Sequence, residues 1–83
     1  MPESVIITLL WNGQEADMEL PAKVPLKGFI EPLRQALRVC FSGISPTGKR
    51  LRLKTKEDFL SDDDTLENYG IFDGEILELE LTV

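Results

Sequence analysis

The chain has no histidine and one cysteine, Cys40. Lacking histidine removes the commonest general base and the commonest metal ligand. A lone cysteine excludes an intrachain disulfide framework and points to a reducing compartment. Cys40 closes an apolar helical repeat, which predicts a buried structural thiol rather than a nucleophile. The densest carboxylate run, Asp62-Asp63-Asp64, lacks the spacing, glycine and closing glutamate of a calcium loop. It is expected to form a solvated turn in which Asp64 caps one helical turn. Lys49, Arg50, Arg52, Lys54 and Lys56 form the one basic cluster. Such a stripe either guards an edge strand against aggregation or docks on an acidic partner surface. Nucleic acid is disfavoured: 15 acidic residues against 9 basic ones give a net charge of −6, and no aromatic residue interleaves with the stripe. No catalytic residue, cofactor or metal ion is expected.

The elements that must carry these residues follow from pattern. Val5-Ile6-Ile7-Thr8-Leu9-Leu10 is β-branched and apolar, a strand. Asn12-Gly13 supplies two positive-φ positions for a two-residue hairpin turn, and residues 15–20 then alternate polar and apolar. That turn fixes the register. Trp11 pairs with Gln14, Leu9 with Ala16, Ile7 with Met18 and Val5 with Leu20, all but the first pair apolar and on one face. Leu10 with Glu15, Thr8 with Asp17 and Ile6 with Glu19 lie on the other. Leu26, Phe29, Ile30, Leu33, Leu37 and Cys40 recur at helical spacing, predicting an amphipathic helix over about 25–40. Pro32 predicts a kink or a loose first turn near 28–32. Residues 41–48 read as a loop. Residues 49–54 form a strand with Leu51 and Leu53 inward and Arg50, Arg52 and Lys54 outward. Phe59-Leu60 is a very short fourth strand. Ile76 to Thr82 is the last, with Leu77, Leu79 and Leu81 on one face and Glu78 and Glu80 on the other. The 83 residues make one domain, 1–83, in an α+β layout with the helix packed on one sheet face. The start, Met1-Pro2-Glu3-Ser4, has no signal-peptide character, and no apolar run is long enough to span a bilayer. A cytoplasmic protein is expected, with peripheral docking on a membrane complex left open.

The order of elements, the spacing from Leu20 to Leu26, and Asp64-Thr65-Leu66-Glu67-Asn68-Tyr69-Gly70-Ile71 resemble the ubiquitin superfamily over about residues 5–81. Within it, Trp11-Asn12-Gly13, Asp17-Met18-Glu19-Leu20, Pro25-Leu26-Lys27-Gly28-Phe29-Ile30-Glu31 and Leu66-Glu67-Asn68-Tyr69-Gly70-Ile71-Phe72-Asp73-Gly74 are similar to the YukD/EsaB-like family. These are small ubiquitin-fold proteins associated with type VII (WXG100-type) secretion in Gram-positive bacteria. The resemblance implies a ubiquitin-like β-grasp with sheet order 2-1-5-3, the first and last strands parallel and central. On that order Glu78 and Glu80 become cross-strand partners of the basic strand. Arg52 and Glu80 occupy the centre of the face that carries an apolar recognition patch in ubiquitin, so ubiquitin-binding domains are not expected to recognise it.

The candidate protein-binding surface is therefore Ile6, Leu10, Trp11, Arg50, Arg52, Lys54, Ile76, Glu78 and Glu80. The structural alternatives are solvated surface pairs for the charges and partial burial under the hairpin end for the apolar residues. The chain ends Glu80-Leu81-Thr82-Val83 without the diglycine tail of ubiquitin-type modifiers and sulfur carriers, so conjugation is not expected. The resemblance implies a non-catalytic interaction module, an accessory or regulatory component of a type VII secretion system with protein partners in that machinery. The alternatives are a small non-catalytic subunit of a multicomponent enzyme, or a modifier or sulfur carrier truncated at its tail.

Overall fold

The structure, a computed structural model, describes residues 3–83. The reading of Met1 and Pro2 lies outside the described residues. The elements run β1 (Ser4–Trp11), β2 (Gln14–Pro21), a 3-10 turn (Leu26–Gly28), α1 (Ile30–Cys40), β3 (Arg50–Lys54) and β4 (Ile76–Thr82). They form a four-stranded sheet in the order β2-β1-β4-β3.

The hairpin has the register its turn dictates. Asn12 and Gly13 take φ of 49° and 77°, a pair of left-handed residues that matches the twist of the flanking strands. Trp11 then faces Gln14, and the pairs Leu9–Ala16, Ile7–Met18 and Val5–Leu20 follow. β4 lies parallel to β1 over Thr8–Leu10 and antiparallel to β3 from Arg50–Thr82 to Lys54–Glu78. This is the arrangement implied by the resemblance, with one strand fewer. Phe59 makes only an isolated bridge to Lys54, so the last strand is the fourth. Beyond the ladder, the Ile6 amide donates to the Asp73 carboxylate and the Gly74 amide to the Ile6 carbonyl, which anchors the turn before β4 on β1.

The helical segment is divided. A 3-10 turn covers Leu26–Gly28, Phe29 lies at the junction, and α1 begins at Ile30. Pro32 is thus the third helical residue, within the first turn, where an N–H would have no intrahelical partner and its absence costs no hydrogen bond. Leu26, Phe29, Leu33 and Leu37 are buried against Val5, Ile7, Leu9, Leu51, Leu53, Leu77 and Leu79 of the sheet. Cys40, by contrast, is exposed. The helix ends there, and Phe41, in extended conformation, occupies the buried place that periodicity assigns to Cys40.

The acidic triplet is a docking segment. The carbonyls of Asp64 and Asp62 accept from the amides of Leu26 and Lys27, so the triplet's backbone completes the start of the 3-10 turn. Lys27 Nζ and Asp63 form an exposed ion pair at 2.9 Å, which holds the lysine's pKa above its ordinary value through the hydrogen bond first and the charge second. The cap of the following turn is Thr65 rather than Asp64. Thr65 Oγ1 accepts from the Asn68 amide, the side-chain bond of an N-cap. The turn closes at Gly70 (φ 71°), with Gly70 N–H donating to Glu67 and Ile71 N–H to Leu66, the paired bonds of a Schellman stop. Leu66 and Ile71, the apolar pair that accompanies such a stop, are both in the core.

Asp64 keeps a different role. Its Oδ1 accepts from Asn68 Nδ2 at 2.6 Å and from the Thr65 amide at 2.9 Å. The Asn68 bond, then the backbone bond, hold its carboxyl below the ordinary 3.8. A depressed carboxylate stabilises the fold fully above the unfolded value and loses that contribution as pH falls through the folded one. Asp64→Ala is therefore expected to be less stable than the parent at neutral pH, with the difference narrowing as pH falls below 3.8. Urea unfolding of both proteins across that range measures it.

Candidate protein-binding face

Helix α1 covers one side of the sheet and leaves the other bare. Alternation along each strand decides what the bare side shows. From one edge to the other it presents Glu15, Asp17 and Glu19 on β2, then Ile6, Thr8 and Leu10 on β1. Ile76, Glu78 and Glu80 follow on β4, and Arg50, Arg52 and Lys54 on β3. The result is a set of stripes: acidic, apolar, acidic, basic. Thr8 Oγ1 donates to Asp17 Oδ1 at 2.7 Å across the first boundary. Lys54 Nζ lies 3.4 Å from Glu78 across the last.

Eight of the nine residues singled out from sequence share this face; Trp11 does not. It is in phase with Leu9 and Ile7, and its ring meets Phe41 edge-on at 6.1 Å on the helix side. Trp11 is half-buried and reaches the bare face only at the rim of a hollow beyond the hairpin turn, which Leu10, Glu15, Lys54, Glu78 and Glu80 also line. The hollow lies where the pairing of β1 with β4 stops at Leu10 while β4 continues to Thr82. Ile6 and Ile76 are the open apolar residues of the face, each about half exposed.

Phe59 is the residue that pattern reading missed. Arg52 and Glu80 stand opposite each other in the ladder, yet the guanidinium stacks on the Phe59 ring, 4.1 Å from its centroid, with Lys54 Nζ at 5.6 Å from the same ring. An aromatic residue therefore does interleave with the basic stripe. A tight reversal brings it there. Thr55 Oγ1 accepts from the amides of Glu57 and Asp58, the Thr55 amide donates to the Asp58 carbonyl, and the chain returns alongside β3. Thr55 and Asp58, three residues apart, were the available sequence signal for that turn. Stacking worth roughly 0.5–1 kcal/mol at an exposed site suffices to orient the cations, which lowers the entropy cost of using them in recognition.

Among the described residues no three histidine, cysteine, aspartate or glutamate side chains converge as metal ligands. Among them, too, no helix is long and apolar enough to cross a membrane.

A sheet with central parallel strands, one helix laid across it and a bare striped face is a β-grasp of the ubiquitin-like class. Solved structures with this fold include the EccD5 ubiquitin-like domain from Mycobacterium xenopi, at TM-score 0.79 and 21% identity, with 96% of each chain covered. A chain of the MycP5-free ESX-5 inner membrane complex matches at TM-score 0.79 and 21% identity; the match covers 99% of the present chain and 22% of that one, so the chain spans under a quarter of that protein. An uncharacterized protein of Clostridium acetobutylicum is 29% identical over 76 residues, 92% of this chain and 81% of its own length. Residues 4–79 match the family described as "WXG100 protein secretion system (Wss), protein YukD". The chain belongs to that family.

Proposed function

We propose that this protein is a non-catalytic docking module of the WXG100 secretion apparatus, acting at the cytoplasmic side of the membrane complex and binding a protein component through the bare face of its sheet. The observation that carries this reading is the face itself, in a chain of the YukD family. Oriented cations on Phe59 lie beside Glu78 and Glu80, with Ile6 and Ile76 exposed next to them. Charge stripes of both signs around a small apolar centre set register and exclude wrong partners, because misaligned docking sets like charges together. The similar fold of a chain in the ESX-5 inner membrane complex supports a partner within the secretion machinery. A tagged chain purified from a host that carries this secretion system is expected to retain a component of the apparatus. Recovery of none, under conditions where the chain is folded, contradicts the proposal.

A further inference from the structure

A second surface borders the striped face along its acidic edge. β2 is an edge strand, with β1 on one side and, among the described residues, no strand on the other. In a two-residue hairpin the residues flanking the turn exchange both backbone hydrogen bonds, and the pattern alternates from there. Gln14, Ala16, Met18 and Leu20 thus bond to β1, while the N–H and C=O groups of Glu15, Asp17 and Glu19 point away from the sheet. Beside that open edge, between β2 and α1, runs an apolar groove lined by Met18, Leu20, Phe29, Pro32, Leu33 and Ala36. Pro32 and Ala36, one helical turn apart, present short side chains and leave the groove open.

Edge, groove and charge together define one occupant. We infer that β2 accepts an extended polypeptide segment in which basic and apolar residues alternate, adding it to the sheet as a fifth strand. Its backbone pairs with Glu15, Asp17 and Glu19, which span five residues, or about 17 Å of strand, matching the roughly 16 Å length of α1. Its apolar side chains enter the groove, and its basic side chains lie over the three carboxylates on the opposite face. A second copy of this chain does not fit: pairing β2 with β2 sets Glu15, Asp17 and Glu19 against the same carboxylates. An acidic segment is excluded on the same ground. The inference shares the carboxylates of Glu15, Asp17 and Glu19 with the striped face but adds the groove and the outward backbone groups, which that face does not use, so groove shifts and strand pairing test it whether or not the striped face binds a secretion component.

The probe is an acetylated Lys-Val-Lys-Val-Lys-Val-Lys peptide titrated into isotope-labelled protein. Amide shifts are expected along β2 and on the Leu33–Ala36 side of α1, with slowed exchange at the Glu15, Asp17 and Glu19 amides. N-methylating every lysine or, in a separate peptide, every valine distinguishes strand addition from loose charge attraction. One alternate set presents its N–H groups to β2, so one methylated peptide loses at least tenfold in affinity and the other persists. A Glu-Val peptide of equal length is expected not to bind, and Ala36→Gln, which fills the groove without changing charge, to weaken the lysine peptide at least tenfold. Equal binding of both methylated peptides, or shifts confined to other faces, overturns the inference.

Discussion

Replacing Leu66 with alanine is expected to remove about 3–4 kcal/mol of folding stability. The side chain has no exposed surface and belongs to the central cluster. It is held there by an unusually complete set of local bonds for a single turn: the Thr65 cap before it, the Gly70 stop after it, and the Glu67 amide donating to the Ala22 carbonyl. A turn fixed at both ends and bonded to the segment after β2 cannot collapse inward to refill the space, which places the cost in the upper part of the range for buried leucines. A domain of this size is stable by about 5–10 kcal/mol, so the loss is a large fraction of the whole. Urea unfolding measures it, and Val39→Ala, on an 89% exposed side chain, is the control expected to change stability by less than about 0.5 kcal/mol. A Leu66→Ala loss below about 1 kcal/mol would show that the turn is not part of the core.

On the docking role proposed above, inverting the charge at Arg52 is expected to weaken binding to the partner component by about ten- to a hundredfold. Arg52 is the cation ordered on Phe59, at the centre of the basic stripe. Inversion also sets a carboxylate opposite Glu80, so some loss of stability accompanies the single change, about 0.2–1 kcal/mol for a like-charged cross-strand pair. The double variant Arg52→Glu with Glu80→Arg separates the two effects. It restores an opposite-charge pair, so stability returns, but the pattern shown to a partner is reversed and binding stays lost. Calorimetric titration against the purified component, with thermal unfolding alongside, reads both. Full binding by the double variant would mean that the stripe only guards the β3 edge.

These expectations rest on features that differ in how far the sequence discloses them. The hairpin register was legible to the residue, because Asn12-Gly13 admits one tight turn and the alternation from Glu15 to Leu20 suits one slip only. Side-chain alternation on β3 and β4 was equally legible. The place of β4 between β1 and β3 was not contained in periodicity; it came with the family resemblance, since parallel pairing is a long-range choice with no local signature. Misses cluster where two neighbouring residues compete for one role. Asp64 and Thr65 are both good caps, and the deciding fact is the direction of the Asn68 amide. Cys40 and Phe41 both continue the apolar repeat, and the end of the helix gives the buried place to phenylalanine. Phe59 reaches Arg52 only after a chain reversal, and Trp11 turns to the helix side because it is in phase with Leu9. Neither placement shows in a list of exposed-looking residue types.

On the function proposed above, the bare face of the sheet meets the secretion apparatus. Photo-cross-linking side chains placed one at a time at Ile6, Glu78 and Arg50, and at Thr47 on the helix side, test it most directly in cells that carry the system. Adducts with one component of the apparatus are predicted from the three sheet positions and none from Thr47. Adducts from Thr47 alone, or cross-links from the sheet positions that never contain a secretion component, would contradict it.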